Sequence, residues 1–494
     1  MTGSDQAAWE PFAEWTRVLS DLAGAAGLLG WDRETGMPPH GAETRAGQLG
    51  TLAAIHHREL VREDAGELLE VLGEEEGLEP DRQAMVAWAR RERDRAVHVP
   101  EDLVRRLTEA RSRAVTAWID AREREDLAAY VTALGPVVAL KRDVAEAVGG
   151  GDEPYDALLD EYEPGARAAE LAPMFDELTR RLRPLVEPAA EASGAGLPPR
   201  VWPADAQMSL AREVAGMVGF DEEAGVIARS AHPFTGSPGH GDVRFTTRVN
   251  EQDPLVSLGA VLHEAGHALY EQGLPARFAR TPLADAPSLG AHESQSLFWE
   301  NHVGLRPGFW QHLEPTLRRL FPDAMGGLDA PSMAAAARRV EPSLIRVEAD
   351  EVTYNLHIAL RFELERALIG GTLDVRDLPE AFDDGMERLL GLRPPSGALG
   401  VMQDIHWPEG LMGYFPTYTL GHLYAAQLAT AAEAALGDLD LLVAEGRFDD
   451  LLAFLRERVH RHARTLPTRE LMMAATGREL GVDDFLAHLE ADYL

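Results

Sequence analysis

Two histidines spaced four residues apart, His263 and His267, are the side chains of this sequence that most directly suggest chemistry. The segment reads His263-Glu264-Ala265-Gly266-His267. Residues four apart in an α-helix share one face, so both imidazoles can bind a single zinc ion. Glu264 is rotated by about 100° from His263, so its carboxylate can reach a metal-held water without being a ligand. This spacing predicts water-activating metal chemistry with Glu264 as the general base.

A third ligand is required, because a catalytic zinc ion usually takes three protein ligands and keeps one position for water. The metzincin pattern would supply a further histidine, but Tyr270 and Gly273 stand where that pattern has glycine and histidine. A carboxylate from a later helix is the alternative. Glu293 fits this role, because it lies 26 residues after His267 in a second helical stretch that begins near Ser288.

Two neighbours of Glu293 also have side chains that occur in metal sites. Glu300 lies two turns further along the same predicted helix face, and we expect it to orient one of the two imidazoles through a hydrogen bond. His292 points away from Glu293 by helical geometry. We interpret it as an ordinary helix histidine.

The metal motif needs a helix to carry it, and the sequence predicts one. Residues 255–270 are largely apolar, follow Pro254 and end before Gly273, and proline and glycine are typical helix-boundary residues. The two imidazoles therefore belong to one predicted helix of the core.

A strand is predicted shortly before that helix. Residues 242–249 alternate polar and apolar side chains after a turn at residues 239–241. The alternation places Asp242, Arg244 and Thr246 on one face of the strand.

Most of the remaining chain has apolar residues at three- and four-residue spacing, which predicts helices. Helix breaks are predicted at clusters rich in proline and glycine, namely residues 149–151, 193–199, 236–239 and 393–397. None of these clusters is long enough to be a flexible linker. We therefore predict a single mainly α-helical domain over residues 1–494, divided into two lobes by a cleft.

Composition excludes several classes of protein. The chain has no cysteine, so any metal must be held by histidines and carboxylates. A formal net charge of -35 argues against nucleic-acid binding, because phosphates would be repelled. No apolar run reaches the roughly 20 residues that a membrane span needs. Residues Met1–Asp5 do not resemble the start of a signal peptide, so we expect a cytoplasmic location.

Imidazole and phenol groups are concentrated in two later segments, residues 404–407 and 410–418. A zinc peptidase needs hydrogen-bond donors for the oxyanion of its tetrahedral intermediate. A phenol or imidazole opposite the metal would suit that task. Packing is the alternative interpretation of aromatic residues beside glycines.

Arg346 and Asp350 lie four residues apart in a segment that we predict to open a helix continuing to Gly370. The two side chains either form a surface ion pair or serve a substrate. In the second case Arg346 binds a substrate carboxylate through two hydrogen bonds while Asp350 fixes its rotamer. Arg244 offers a second cation for the same purpose, and spacing alone does not choose between the two arginines.

Five sequence blocks occur in this order along the chain: Asp242-x-Arg244-x-Thr246, His263-Glu264-x-x-His267, His292-Glu293-Ser294-Gln295-Ser296, Ile345-Arg346-x-x-Ala349-Asp350 and Gly400-x-x-Gln403-Asp404-x-His406-Trp407. In these blocks and in their order the chain resembles the carboxypeptidase Taq family of metallocarboxypeptidases. Further similarity occurs at Trp31-Asp32, Met37-Pro38 and residues 159–164. Ala265 replaces an aromatic residue that is common in the family, a change that we expect to be harmless.

The resemblance implies a two-lobed, mainly helical fold with a deep substrate groove and a small sheet near the active site, related to neurolysin and angiotensin-converting enzyme. It implies a homodimer that removes single residues from free peptide C-termini with broad specificity. His406 and Tyr414 then become the expected oxyanion donors, with Tyr418 as the substitute for Tyr414. Arg346 becomes the expected anchor for the substrate carboxylate.

The same resemblance assigns Asp242, Arg244 and Thr246 to a segment that closes the groove and limits how far the substrate extends. The roles of Arg244 and Arg346 could be exchanged. One Zn²⁺ per chain is expected between His263, His267 and Glu293, and Co²⁺ is a possible substitute because the same ligands accept both ions.

Two competing functions remain open at the level of sequence. One is an endopeptidase or dipeptidase on the same zinc scaffold. The other is a non-catalytic binding protein with a structural metal, against which the intact Glu264 and the joint presence of His406 and Tyr414 argue.

Overall fold

The computed structural model describes residues 3–494, with side chains from residue 7 onward. Met1 and Thr2, which belong to the segment used to judge a signal peptide, lie outside the described residues. The expected mainly helical fold with a small sheet is confirmed. The α-helices of the described part are α1 (Gly3–Thr35), α2 (Ala42–Val61), α3 (Glu63–Gly73), α4 (Pro80–His98), α5 (Glu101–Arg124), α6 (Leu127–Val148), α7 (Pro154–Tyr162), α8 (Ala168–Ala192), α9 (Ala204–Met217), α10 (Pro254–Gly273), α11 (Leu289–Trp299), α12 (Pro307–Leu320), α13 (Ala330–Ala337), α14 (Glu351–Ile369), α15 (Leu378–Leu390), α16 (Pro416–Leu436), α17 (Leu439–Ala444), α18 (Phe448–Arg458), α19 (Thr468–Thr476) and α20 (Asp483–Tyr493).

Buried apolar side chains from Ala8 to Tyr493 form one cluster, to which most of these helices contribute. Within residues 3–494, none of the helices combines the length and the apolar character that crossing a membrane requires.

A three-stranded sheet lies between α9 and α10. It consists of β1 (Gly225–Arg229), β2 (Thr235–Gly239) and β3 (Asp242–Thr247) in the order β1-β3-β2. β3 pairs in parallel with β1 and antiparallel with β2. The predicted strand is therefore present, although it ends two residues earlier than expected.

The sequence patterns did not indicate β1 and β2. The helix break predicted at residues 236–239 is present, but these residues form a strand. Those residues are Gly-Ser-Pro-Gly, a composition typical of a turn, yet they form most of β2. β2 is an edge strand whose only neighbour in the sheet is β3. Proline is tolerated at such an edge because its missing N–H can face away from the ladder.

The helix of the metal motif is present and spans Pro254–Gly273, so the predicted segment 255–270 lies inside it together with both boundary residues. The Asp253 carboxylate accepts a hydrogen bond from the Leu255 backbone N–H and so caps the first turn, with Pro254 at the first helical position. Ser288 caps α11 in the same way, through the backbone N–H of Ala291. Polar caps thus set where α10 and α11, the helices with the predicted metal ligands, begin.

Two glycines let α11 lie very close to its neighbours on both sides. A Cβ atom at Gly266 of α10 would lie 2.5 Å from the carbonyl oxygen of Gln295, and one at Gly421 of α16 would lie 2.6 Å from Cγ of Glu293. Both distances are far below van der Waals contact. α11 is therefore packed between α10 and α16 with Glu293 at the contact.

The helix predicted to open at Ile345 begins six residues later. Residues Arg346–Glu348 form a single 3₁₀ turn, and Asp350 is the N-cap of α14, where its carboxylate accepts a hydrogen bond from the backbone N–H of Thr353. Aspartate is among the best N-cap residues. The predicted pairing of Arg346 with Asp350 on one helix face was therefore wrong.

We predict that Gly266→Ala destabilises the protein by about 2 kcal/mol, because the methyl group forces α10 away from α11. The measurement is the apparent Tm by differential scanning calorimetry. Gly27→Ala is the matched control, since Gly27 lies on α1 and a methyl group there would meet no heavy atom within 4 Å. That change should leave the Tm unchanged or raise it, because alanine favours helix by about 1 kcal/mol. Equal Tm values for the two variants would contradict the proposed close contact.

Candidate active site

The three predicted metal ligands meet between α10 and α11. Nε2 of His263 lies 3.8 Å from Oε1 of Glu293, and Nε2 of His267 lies 3.4 Å from Oε2 of the same carboxylate. One ligand atom from each of the three residues can be chosen so that all lie within 4.8 Å of one another. Ligand atoms bonded at about 2.1 Å to a tetrahedral zinc ion are about 3.4 Å apart. Two imidazole nitrogens and a carboxylate at this spacing fit zinc.

A second carboxylate orients one of these imidazoles. Oε2 of Glu300 lies 2.8 Å from Nδ1 of His263, which leaves Nε2 facing Glu293. Glu300 lies just after α11, in a π-helical turn over Glu300–Gly304 that the sequence patterns did not predict. Nδ1 of His267 has no hydrogen-bond partner among residues 3–494. A hydrogen bond to Glu300 thus orients the ring of His263, whereas no hydrogen bond at Nδ1 from the described part of the chain orients the ring of His267.

The charges around the ligands favour a cation. Burial opposes the ionisation of Glu293, but His263 and His267 outweigh it and lower its pKa to about 2. Burial also opposes a charge on His263, yet Glu300 and Glu293 raise the pKa of that imidazole to about 10. Burial and the neighbouring His292 lower the pKa of His267 to about 3. His267 is therefore in the neutral form that binds a metal, whereas His263 would have to release its proton when an ion binds.

His292 lies against the ligand set. Its ring stacks on that of His267, with centroids 4.4 Å apart and planes 13° from parallel, and its Nε2 lies 3.1 Å from Oε1 of Glu271. The interpretation as an ordinary helix histidine therefore missed a stacking contact with a predicted ligand. Helical geometry predicted its direction relative to Glu293, but sequence alone could not predict which residue of α10 it would meet.

Glu264 is buried beside the predicted ligands and receives a hydrogen bond from β2. The hydroxyl oxygen of Thr235 lies 2.7 Å from Oε2 of Glu264 and 3.0 Å from its backbone carbonyl oxygen. Burial raises the pKa of the Glu264 carboxyl above its usual value, which makes it a stronger base. Thr235 was not a sequence candidate, because it adjoins the residues that were predicted to form a break.

The predicted oxyanion donors form an aromatic group at the start of α16. Nε2 of His406 lies 3.4 Å from the hydroxyl oxygen of Tyr418, and the Tyr414 ring centroid is 5.6 Å from that of His406 and 5.4 Å from that of Tyr418. Burial, reinforced by the negative charge of Glu293, raises the pKa of Tyr414, so its phenol keeps its proton. Burial and two nearby arginines lower the pKa of His406 to about 4, so the ring is neutral near pH 7.

Arg346 belongs to a buried cluster in which one carboxylate faces two guanidinium groups. Nε and Nη2 of Arg346 donate to Oδ1 of Asp404 at 3.0 and 2.8 Å, and Nη1 donates to the Tyr354 hydroxyl at 2.9 Å. Nε of Arg361 donates to Oδ2 of Asp404 at 2.7 Å. The partner that fixes Arg346 is thus Asp404, which replaces the predicted Asp350. The cluster carries one uncompensated positive charge.

Asp242, Arg244 and Thr246 of β3, which we call the strand block, have two different environments. Nε and Nη2 of Arg244 donate to Oδ1 and Oδ2 of Asp242 at 2.6 and 2.9 Å, and this pair is partly exposed. Thr246 is fully buried, and its hydroxyl oxygen accepts a hydrogen bond from the Phe234 backbone N–H and contacts the Ser230 hydroxyl. Its hydroxyl therefore secures residues 230–234 against β3.

A second group with similar ligand types occurs in the described part of the chain. His302, Glu351 and His488 bring possible ligand atoms within 4.8 Å of one another. The nitrogens of His488 lie 3.1 Å from a Glu351 oxygen and 3.2 Å from an Asp492 oxygen, while Tyr493 donates to Glu351 at 2.8 Å. These partners satisfy Glu351 and His488 without an ion. The group acts as a hydrogen-bonded network that attaches α20 to the start of α14.

A helix with two imidazoles that could bind a metal, a carboxylate from a following helix beside them and an adjacent buried glutamate are together typical of a metallopeptidase site. The family model described as carboxypeptidase Taq (M32) metallopeptidase matches residues 12–493. The chain belongs to this family and is a metal-dependent carboxypeptidase.

Similar proteins cover almost the whole chain. Thermostable carboxypeptidase 1 of Thermus thermophilus is 43% identical, with 99% of this chain and 98% of the relative covered. Thermostable carboxypeptidase 1 of Pyrococcus furiosus is 37% identical, with 98% and 97% covered. The crystal structure of an M32 carboxypeptidase from Deinococcus radiodurans is 38% identical and matches with a TM-score of 0.96, covering 99% of both chains.

We predict that Glu300→Gln lowers zinc affinity by about 10- to 100-fold, because the ring of His263 loses the carboxylate that orients it. Competition with a chromophoric chelator measures this affinity. Glu271→Gln is the matched control, since its carboxylate also contacts an imidazole, that of the predicted non-ligand His292. The control should bind zinc as the unaltered protein does. Equal affinities for both variants would contradict the assigned role of Glu300.

Proposed function

We propose that this carboxypeptidase uses zinc to release single amino acids from the free C-terminus of peptides with broad specificity. The observation that carries the proposal is the group of His263, His267 and Glu293 with Glu264 beside it. The buried positive cluster around Arg346 supports recognition of a carboxylate. We further propose one catalytic Zn²⁺ per chain, held by the three ligands, with Co²⁺ as a possible substitute.

The chemistry divides between the ion and the chain. When bound, zinc acts as a Lewis acid that makes water a nucleophile near neutral pH and polarises the scissile carbonyl. Glu264 takes the proton of the attacking water and passes it to the leaving amine. The buried setting of its carboxylate and the hydrogen bond from Thr235 hold that base at a fixed position.

His406 and Tyr414 are proposed to donate hydrogen bonds to the oxyanion of the tetrahedral intermediate, with Tyr418 as the substitute for Tyr414. Burial keeps both phenols protonated at neutral pH, so both remain donors. Neutral His406 can donate from one ring nitrogen without competing for the proton that Glu264 carries. Hydrogen bonds from such donors stabilise an oxyanion more strongly in a site that excludes water than in bulk solvent.

The substrate carboxylate is proposed to bind Arg346. Its cluster has two guanidinium groups and one carboxylate, so an incoming carboxylate neutralises it. Asp404 and Tyr354 already hold the guanidinium in place, so its side chain loses little conformational entropy when the substrate binds. Arg244 is the alternative anchor. Its charge is already neutralised by Asp242, which favours Arg346.

The strand block is then proposed to close the groove beside the substrate's C-terminus. Asp242 and Arg244 form its partly exposed pair, and Thr246 keeps the strand in place. We also propose that residues 1–494 form one peptidase domain, which the single apolar cluster supports. We further propose a homodimer, which the family resemblance implies, and a cytoplasmic location. The charge of -35 makes nucleic acid an unsuitable partner.

We predict that Glu264→Gln retains zinc but lowers kcat by about a hundredfold or more, because glutamine cannot accept the proton of water. Peptide hydrolysis is followed by mass spectrometry, and zinc is counted by elemental analysis of the same sample. Near-normal turnover with zinc in place would refute the assignment of the base. Removal of the ion by exhaustive chelation should abolish cleavage, and addition of Zn²⁺ or Co²⁺ should restore it.

We predict that amidation of a peptide's C-terminus removes most activity, and that Arg346→Lys removes this discrimination. For the free-acid peptide, kcat/KM of Arg346→Lys should fall by about 100-fold, because a bidentate pair to the carboxylate is lost. Arg244→Lys is the matched control and should keep the preference for the free acid. The reverse result would assign the anchor to Arg244. Equal cleavage of acid and amide by the unaltered enzyme would indicate an endopeptidase.

A further inference from the structure

The two proposed oxyanion donors lie at the two ends of one irregular segment. Residues 407–413 contain no helix or strand, and they separate His406 from Tyr414. Irregular backbone is ordinarily the more mobile part of a protein. Donors for an oxyanion must nevertheless be held to within about 0.5 Å of the productive position. Some contact must therefore fix this segment, which we call the donor loop.

A single buried carboxylate contacts both ends of the donor loop. Oε1 of Glu365 accepts a hydrogen bond from the indole N–H of Trp407 at 2.8 Å. Oε2 accepts one from the backbone N–H of Gly413 at 2.9 Å and another from the hydroxyl of Tyr155 at 2.7 Å. Trp407 directly follows His406, and Gly413 directly precedes Tyr414. Glu365 thus contacts the residue next to each donor, through the side chain of Trp407 and the backbone of Gly413.

The chemistry of these contacts fits an ionised carboxylate. Two of the three partners, the indole N–H of Trp407 and the backbone N–H of Gly413, can only donate hydrogen bonds, and each faces a different oxygen of the carboxylate. Burial raises the pKa of Glu365 to about 7, while the three donors and Lys141, the chain's only lysine, act in the opposite direction. The side chain is fully buried, so water does not compete for its oxygens.

Steric constraints restrict the backbone conformation of the donor loop. Gly413 has a φ of 92°, which favours glycine, and a Cβ there would lie 2.6 Å from the carbonyl of Leu158. On the other side of His406, Asp404 is held by Arg361, which lies one turn before Glu365 on α14. Arg361 and Glu365 thus form one face of α14 that fixes the chain before and after His406.

We propose that Glu365 is a positioning residue for the reaction. It holds the donor loop at both ends, and through Trp407 and Gly413 it sets where His406 and Tyr414 present their hydrogens. The inference rests on the oxyanion roles proposed above for those two residues. Glu365 itself touches neither substrate nor metal ligand, and its effect should fall on the transition state, since the oxyanion forms only there.

The test is Glu365→Gln, which keeps the shape but presents an amide N–H to one of the three donors. We expect kcat to fall by about 10- to 100-fold, as displacement of catalytic groups by about 1 Å can do. KM should change by less than about threefold, because ground-state binding is kept. Zinc content should equal that of the unaltered enzyme.

The matched control is Glu351→Gln. Glu351 is another buried glutamate of α14 with two side-chain partners, His488 and Tyr493, and it has no contact with the donor loop. It should lose a similar amount of apparent Tm but keep kcat. A kcat for Glu365→Gln within twofold of the unaltered enzyme would overturn the proposal. So would a loss of kcat matched by Glu351→Gln at equal loss of Tm.

Three further variants keep the test decisive. If Glu365→Gln does not fold, Trp407→Phe removes one donor to the carboxylate and should lower kcat to a lesser extent, again without raising KM. Full kcat in that variant would also overturn the proposal. His406→Ala and Tyr414→Phe test the oxyanion roles separately: if both stay fully active, those roles fail. If they lose kcat while Glu365→Gln does not, only the positioning role fails.

Discussion

The Glu293 carboxylate lies on α11 and has to reach two imidazoles of α10, while the other side of α11 packs against α16. This steric requirement governs the centre of the protein. Gly266 and Gly421 remove side chains at the two contacts that matter, so α11 fits between α10 and α16 with the carboxylate at the interface. Because protein interiors are close-packed, the positions of the ligands follow from backbone packing, and the loops around the site contribute orientation only.

The site contains two charge imbalances of opposite sign. Glu264, Glu293 and Glu300 surround two imidazoles, of which only His263 has a raised pKa. The cluster of Arg346, Arg361 and Asp404 has one positive charge in excess. A buried charge without a partner costs several kcal/mol. Both imbalances would be relieved if the proposed divalent cation bound at the first group and the proposed substrate carboxylate bound at the second, so the proposed ligands would complete the electrostatics of the fold.

The sequence predicted the parts of the site that depend on local periodicity. The bounds of α10, the start of α11 at its serine cap and the strand at Asp242 followed from spacing and capping residues. Contacts between distant segments were not predictable in this way: Asp404 as the partner of Arg346, Thr235 as the donor to Glu264, and the ring of His292 on that of His267 all join residues far apart in sequence or on separate elements. β2 was missed because its composition is that of a turn, and only its pairing with β3 makes it a strand. The family resemblance supplied the oxyanion and carboxylate roles that spacing left open.

The network of Glu351, His488 and Tyr493 makes the start of α14 depend on α20. Glu351 begins α14, the helix that carries Arg361 and Glu365, whereas both partners of its carboxylate belong to α20. If α20 detaches by local unfolding, the start of α14 holds a carboxylate without those partners, which is costly to keep buried. Fraying of α20 therefore weakens the helix that holds Asp404 and the donor loop.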